Sequence, residues 1–471
     1  MKKLKVGFVA GFMEGFSDER LKLFSTYEKE LKKLSEELNF ELISYKEIVT
    51  TVEQAGNVRD DLDKNEIDFV LLFHPSYILG TLVYEILKVR APIGLWAIEE
   101  LRDTGPMPLA SMVSLTQNCS MAIHNFLGEP KKFKWFIGDI NGKYFKERFE
   151  ITMKSLGAVK NLKNTRVAQI GKLVDGHINH MVNEREIYAN LKVDVFRDYE
   201  IEDILKLSKE VPESEVKEDM KFLKSNCTIS RVAEEKVENS VRMYLAVKNI
   251  CQKENYDSIA FSCWPKLMPN MEMVGCLVNS RLNSAGIAAG CEADVLSTVS
   301  MLVLRYITQD IVALMDLSRF DDTDDSLMLW HCGSAPIEMA NDRGVILEKH
   351  YFADYAESVK NCGPITDVIF KEGDVTVFRL VKESGHFYYF TGKFFDENKP
   401  SFNGSRGWVN DLRLYAEPIK SMDLANTILN NGLPHHFPMV MGHIGKYLEE
   451  FAYWLDLKKI IRKDYQDYLY I

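Results

Sequence analysis

What is scarce in this 471-residue chain narrows its function first. Cysteine is sparse, at eight residues, and no two of them form a Cys-x-x-Cys pair. Neither a disulfide framework nor a structural zinc knuckle is expected, and the thiols read as reduced and buried. No window long enough to span a bilayer is both apolar and free of charge, so a membrane span is not expected. Positive charge is in deficit. Lys plus Arg number 58 against 69 Asp plus Glu, a net charge of −11, and there is no basic cluster. An acidic surface suits neither nucleic acid nor an anionic membrane. A glycine-rich phosphate loop is missing too. Gly11-Phe12-Met13-Glu14-Gly15 is not a GxGxxG run, and it puts Glu14 where a pyrophosphate would sit. After Lys2-Lys3 the apolar run is only about five residues, too short for a signal peptide. The expectation is a cytoplasmic protein whose partner is a small molecule or copies of itself.

What is present is ordinary globular material: 46% hydrophobic and 27% charged residues, enough for several large cores. The first third alternates strands and helices. Leu4–Phe8, Phe40–Tyr45, Asp68–Phe73 and Pro92–Ala97 read as strands, Asp18–Leu38 and Val52–Asp63 as helices. The pattern restarts at Thr165–Gly171 and runs through Lys192–Phe196, a helix over Ala233–Glu254, and Tyr256–Cys263. The last third changes character. Asp367–Phe370, Asp374–Val381 and His386–Thr391 are short, β-branched and aromatic, with Gly373-Asp374 and Ser384-Gly385 as turns, and a helix over Ile444–Leu455 closes the chain. The fold class expected is α/β. Two doubly wound parallel-sheet domains, 1–164 and 165–345, precede a C-terminal antiparallel β-barrel-like domain over 346–471.

Open α/β sheets bind ligands at the carboxyl ends of their strands. His74, Trp96, Glu99 and the turn Cys263-Trp264-Pro265-Lys266 fall near such ends. Carboxylates inside apolar segments are costly unless paired or metal-bound. Glu272 opens an apolar helix, while Glu292 and Asp294 follow the buried strand Ile287–Cys291. Asp294 can equally be the N-cap of a helix over Val295–Thr308, with Glu272 a helix-start charge. Three of the ten histidines, His435, His436 and His443, lie within nine residues in an apolar setting. His331 sits in another such setting, Trp330–Pro336. Neutral imidazole is the commonest metal ligand, and two carboxylates with one imidazole suit Mn²⁺ or another divalent ion with open positions. Such an ion polarises a sugar carbonyl, and a nearby carboxylate can then shuttle a proton between C1 and C2 through a cis-enediol.

Gly290–Leu296 with Glu272 upstream, Leu329–Pro336, and His435-His436-Phe437 followed by Gly442-His443-Ile444-Gly445 resemble the L-fucose isomerase superfamily, and more distantly L-arabinose isomerase. Gly94–Ala97 and the Cys263-Trp264-Pro265 turn fit its fucose isomerase-related branch. The resemblance implies a metal-dependent aldose–ketose isomerase with Glu272, Asp294 and His436 on Mn²⁺. It makes Glu272 and Asp294 the acid/base pair. Trp264, His331, Trp96, Lys266 and His435 would then contact the sugar. It also implies trimers or hexamers in which a neighbour's N-terminal domain completes the site. The sugar expected is L-fucose- or D-arabinose-like, or another 6-substituted aldose. Lys266, His177, His180 or Arg281 could meet an anionic substituent. The competing expectations are a non-catalytic sugar-binding or regulatory protein, and a metal-dependent sugar lyase or aldolase on the same scaffold.

Overall fold

The computed structural model describes residues 2–124, 128–264, 266–381, 385–395 and 399–467. Two residues read above as parts of turns, Pro265 and Ser384, lie outside them. The chain divides into two compact units, Met1–Asn161 and Leu162–Ile471.

The first unit alternates β1 (Lys5–Ala10), α1 (Glu19–Glu37), β2 (Glu41–Ser44), α2 (Val52–Lys64), β3 (Phe69–His74), α3 (Gly80–Leu87), β4 (Ile93–Ala97), α4 (Ser111–Ile123), β5 (Phe133–Ile137) and α5 (Lys143–Leu162). The strands form one parallel sheet in the order β2-β1-β3-β4-β5. Every residue of β3 and β4 is buried, the mark of central parallel strands covered by helices on both faces. Thr51 caps α2 through a reciprocal box with Gln54, which is why that helix starts where the apolar periodicity begins.

The second unit opens with β6 (Arg166–Ile170), α6 (Glu184–Leu191), β7 (Asp194–Phe196), α7 (Ile201–Ser208), α8 (Glu213–Asn226), β8 (Cys227–Ile229), α9 (Glu234–Glu254), β9 (Ser258–Phe261), α10 (Leu267–Met271), α11 (Cys276–Ser284), β10 (Ala288–Cys291) and α12 (Val295–Thr308). Strands β10-β9-β6-β7 make a second parallel sheet. Then follow β11 (Val312–Asp321), β12 (Ser326–His331), β13 (Val345–Glu348), β14 (Ile365–Ile369), β15 (Gly373–Val381), β16 (His386–Phe395), β17 (Ser405–Leu414), the short β18 (Glu417–Pro418), α13 (Ser421–Asn430), β19 (His436–Met441) and α14 (Gly445–Leu455).

Six of these strands close an antiparallel barrel in the order β16-β15-β19-β11-β12-β17, with β17 returning to β16. Closure leaves no free edge. The barrel takes β11 and β12 from upstream of residue 345, because the later segment supplies only four of its strands. Gly373 is not a turn but the first residue of β15.

Helix α12 is buried almost all round and packs on the sheet strands β9 and β10 and on the barrel strands β15 and β19. An apolar surface on every side is what a helix between two cores requires. Its N-terminus therefore lies where the carboxyl end of β10 meets the barrel.

Candidate active site

Strand β10 ends at Cys291, and the next two residues, Glu292 and Ala293, both adopt left-handed backbone conformations, with φ of 55° and 57°. That reversal turns the chain into α12 and leaves Glu292 at the strand's carboxyl end. Asp294 then caps α12, its Oδ1 accepting from the Ser297 N–H at 3.0 Å. The barrel brings His436, the first residue of β19, against this corner: its Nδ1 lies 2.9 Å from Asp294 Oδ2. Arg379 of β15 donates to the same Oδ2 at 2.8 Å. The segment after β6 adds His177 and His180.

Glu292 is the hub. Its Oε2 lies 2.9 Å from His177 Nδ1, 3.3 Å from His435 Nε2 and 3.6 Å from His436 Nε2. The rings of His180 and His436 stack at 4.7 Å, and those of His331 and His436 at 6.0 Å. Asp316 of β11 faces His436 in the β11–β19 register. Five of the chain's ten histidines thus converge with Glu292, Asp294 and Asp316.

Burial dominates the electrostatics. It pulls His180 down to about 3 and His436 and His331 down to about 4, so these rings are neutral at pH 7. Burial also opposes the charge on Glu292, but the His435 hydrogen bond and the nearby His436 and His177 outweigh it and bring that carboxyl down to about 2. Asp294, fully buried, is held well below the usual carboxylate range by Arg379 and His436 against its own desolvation. Asp316 goes the other way, pushed up to about 7 by burial, and its Oδ1 has no hydrogen-bond partner.

Both ring nitrogens of His180 are buried and lack a hydrogen-bond partner. Buried polar atoms are normally paired, and an orphaned one calls for an explanation such as an ion. Three overlapping groups bring ligand atoms within 4.8 Å of one another: His180, His435 and His436; His177, His180 and Glu292; and Asp316, His331 and His436. Neutral imidazoles beside an ionised carboxylate are the donor set of a divalent transition metal.

Of the residues singled out in the sequence, the structure brings together Glu292, Asp294, His177, His180, His331, His435 and His436, and it does not bring Glu272 to them. Glu272 does not open a helix. It ends α10 in a left-handed conformation, and its carboxylate accepts from Asn361 and faces Lys236 at 3.9 Å. Trp96 offers no surface to a sugar in its unit. It is fully buried, packed at tilted angles among the rings of Phe73, Phe145 and Tyr27, with its indole N–H on the Gly138 carbonyl. Lys266 pairs with Glu202 at 2.6 Å, and Arg281 pairs with buried Asp219. Trp264 is 37% exposed and packs edge-on to Phe352. The residues sequence reasoning passed over are Glu292 as the hub, Asp316 and Arg379. His177 and His180 carried a usable signal, two histidines three apart after a strand end.

Beside β12 lies a cavity of about 590 Å³ lined by Trp330, Tyr351, Arg231, Lys349, Phe402 and Asn403. Trp330 stands opposite Asp316 in the β11–β12 register, and opposed residues share a face. Cavity and histidine cluster therefore adjoin on one side of that ladder.

Residues 329–462 match the model of the L-fucose isomerase C-terminal domain. Sulfoquinovose isomerases from Priestia aryabhattai and Priestia megaterium are each 24% identical over 422 residues, covering 88% of this chain and 90% of theirs. One from Alkalicoccus urumqiensis is 21% identical over 377 residues, covering 78% of this chain and 79% of its own. A periplasmic solute-binding protein from Actinobacillus succinogenes with bound D-allose overlays 65% of this chain and 93% of its own at 12% identity and a TM-score of 0.17, too low to carry an argument. No helix among the described residues is long and apolar enough to cross a membrane. Residues 329–462 thus match an L-fucose isomerase C-terminal domain, built here around a closed six-stranded barrel, and most of the chain is similar to sulfoquinovose isomerases.

Proposed function

We propose that the protein is an aldose–ketose isomerase whose centre is the cluster around Glu292. The observation that carries this is the convergence of His177, His435 and buried His436 on the ionised Glu292 carboxylate, beside buried His180, both of whose ring nitrogens are orphaned. His180, His435, His436 and Glu292 would hold a divalent metal, with Mn²⁺ the ion to try first, and Asp294 fixes His436 from behind. When bound, such an ion polarises the sugar carbonyl and its neighbouring hydroxyl.

The chain's own groups supply the proton chemistry. Glu292 is ionised at neutral pH and its side chain is 29% exposed, so it can accept the proton from C2 of an aldose and return it to C1. Asp316, poised near pH 7, can hold the proton that O1 gains and O2 gives up. The carbon skeleton stays intact and the net change moves two hydrogens. The buried imidazoles keep bulk water from the developing enediol.

The adjoining cavity fits the rest of the sugar. Trp330 and Tyr351 offer faces for its C–H edges, and Arg231, paired with Glu348, and Lys349, paired with Asp354, line it as cations that an anionic group at the sugar's far end would draw from those partners. The relatives' name, sulfoquinovose isomerase, supports a 6-substituted, anionic aldose. We further propose that the chain works as a homo-oligomer in the cytoplasm.

The test is NMR in D₂O with Mn²⁺ and a panel of pentoses, 6-deoxyhexoses, 6-phospho- and 6-sulfosugars. The expected result is a ketose product with deuterium at C1 or C2 and no carbon–carbon cleavage. Sugars recovered unlabelled would favour a binding protein, and fragments would favour an aldolase.

A further inference from the structure

We infer that Arg379 is a positioning residue, which locks the ligand His436 on β19 and the carboxylate that orients it, Asp294 on α12, at one fixed separation. Its Nη2 donates to Asp294 Oδ2 at 2.8 Å and its Nη1 to the His436 backbone carbonyl at 2.9 Å. It is 1% exposed. One planar guanidinium therefore grips the carboxylate of one element and the backbone of the other, and a planar fork fixes direction as well as distance.

The surroundings make the clamp stiff. Arg379 pairs with Tyr388 in the β15–β16 ladder, and three further residues of β15 pair with β19. The next residue ties β15 to α12 directly, Leu380 N–H donating to Ser300 Oγ at 2.9 Å. The local sequence, Val375-Thr376-Val377-Phe378-Arg379-Leu380-Val381, is otherwise an apolar barrel strand. A buried cation there is costly unless it is paired, and for stability alone an apolar residue would serve as well. The guanidinium's two bonds run to Asp294 and to the strand residue that carries the His436 imidazole. A shift of about 1 Å between groups held for reaction can cost on the order of 10²-fold in rate.

This role rests on the metal-dependent reading above, and the experiment separates the two. Mn²⁺ is titrated into the full chain and free ion is followed by electron paramagnetic resonance, for wild type, Arg379→Lys and Arg379→Met. Folding is checked by circular dichroism without metal. Outer-sphere groups of this kind are worth roughly 10–100-fold in metal affinity. The expected result is a loss of that size in Arg379→Met and a smaller one in Arg379→Lys, which keeps the charge but reaches one partner. At saturating Mn²⁺ the sugar KM should stay near wild type while kcat falls. If Arg379→Met, with Asp294 left uncompensated, does not fold, Arg379→Lys carries the test. A folded variant with wild-type Mn²⁺ affinity and kcat overturns the inference. Wild type that binds no Mn²⁺ overturns the metal reading itself, and this role with it.

Discussion

Each unit buries a histidine at a parallel-sheet strand end or in the segment just after it, and the two environments differ. His74, the last residue of β3, is held down to about 4 by burial, much as His180 is held to about 3. Yet His74 is satisfied on both sides. Its Nδ1 meets the Trp96 carbonyl at 3.1 Å and its Nε2 meets Asn118 at 3.0 Å. His180 has no hydrogen-bond partner on either nitrogen and sits among three other imidazoles and two carboxylates. Burial and a depressed pKa are therefore common to a core histidine and a site histidine. Unmet donor capacity next to charge is what separates them.

The largest expected effect attacks the site side of this contrast. Glu292→Gln removes the charge that the His177, His435 and His436 rings surround, and kcat should fall by roughly 10²–10⁴-fold, the range for losing a general base. Glu272→Gln, measured in the same assay, should lose less, because its carboxylate is engaged by Asn361. The reverse order would move the catalytic carboxylate back to Glu272.

Metal removal comes next. Chelation should abolish isomerisation and lower the melting temperature, with restoration by Mn²⁺. At about 100 times its dissociation constant the ion should add about 2.7 kcal/mol of stability. A melting temperature unmoved by chelator would count against the cluster as a metal centre.

Paired substitutions sharpen the comparison itself. His74→Ala removes a partner from the Trp96 carbonyl and leaves the Asn118 amide with Ser114 alone, and should cost about 1–3 kcal/mol in denaturant unfolding with isomerase kcat unchanged. His180→Ala strands no hydrogen-bond partner and costs only the packing of its ring, so it should destabilise the metal-free protein less than His74→Ala does, while metal affinity falls. Equal destabilisation by both would erase the distinction.

The smallest effect is on acid sensitivity. The folded value of about 4 for His74 lies below the ~6.5 of free imidazole. Between those values the unfolded chain takes up a proton that the folded chain does not. Stability thus rises with pH across that window and is lost on acidification. Urea unfolding from pH 4 to 7 should show that slope in wild type and a shallower one in His74→Gln. Identical slopes would remove His74 as its source.

Much of this was legible in the sequence, for definable reasons. The βα alternation is written in apolar runs such as Phe69–His74, and Asp294 announces its cap by preceding an apolar helix. His436 stood out as one of two adjacent histidines in an apolar stretch. What stayed hidden depends on contacts distant in the chain. Arg379 meets Asp294 across 85 positions, and His436 meets it across 142. The choice between Glu272 and Glu292 turns on two consecutive left-handed residues after β10, which neither periodicity nor propensity foretells. Trp96 looked available because a strand end does not say which helices cover it.

The most direct measurement is anomalous diffraction at the manganese edge from crystals grown with Mn²⁺. The account predicts one peak bounded by Glu292, His436 and His180. A peak on Glu272, or none in a crystal of active enzyme, would contradict it.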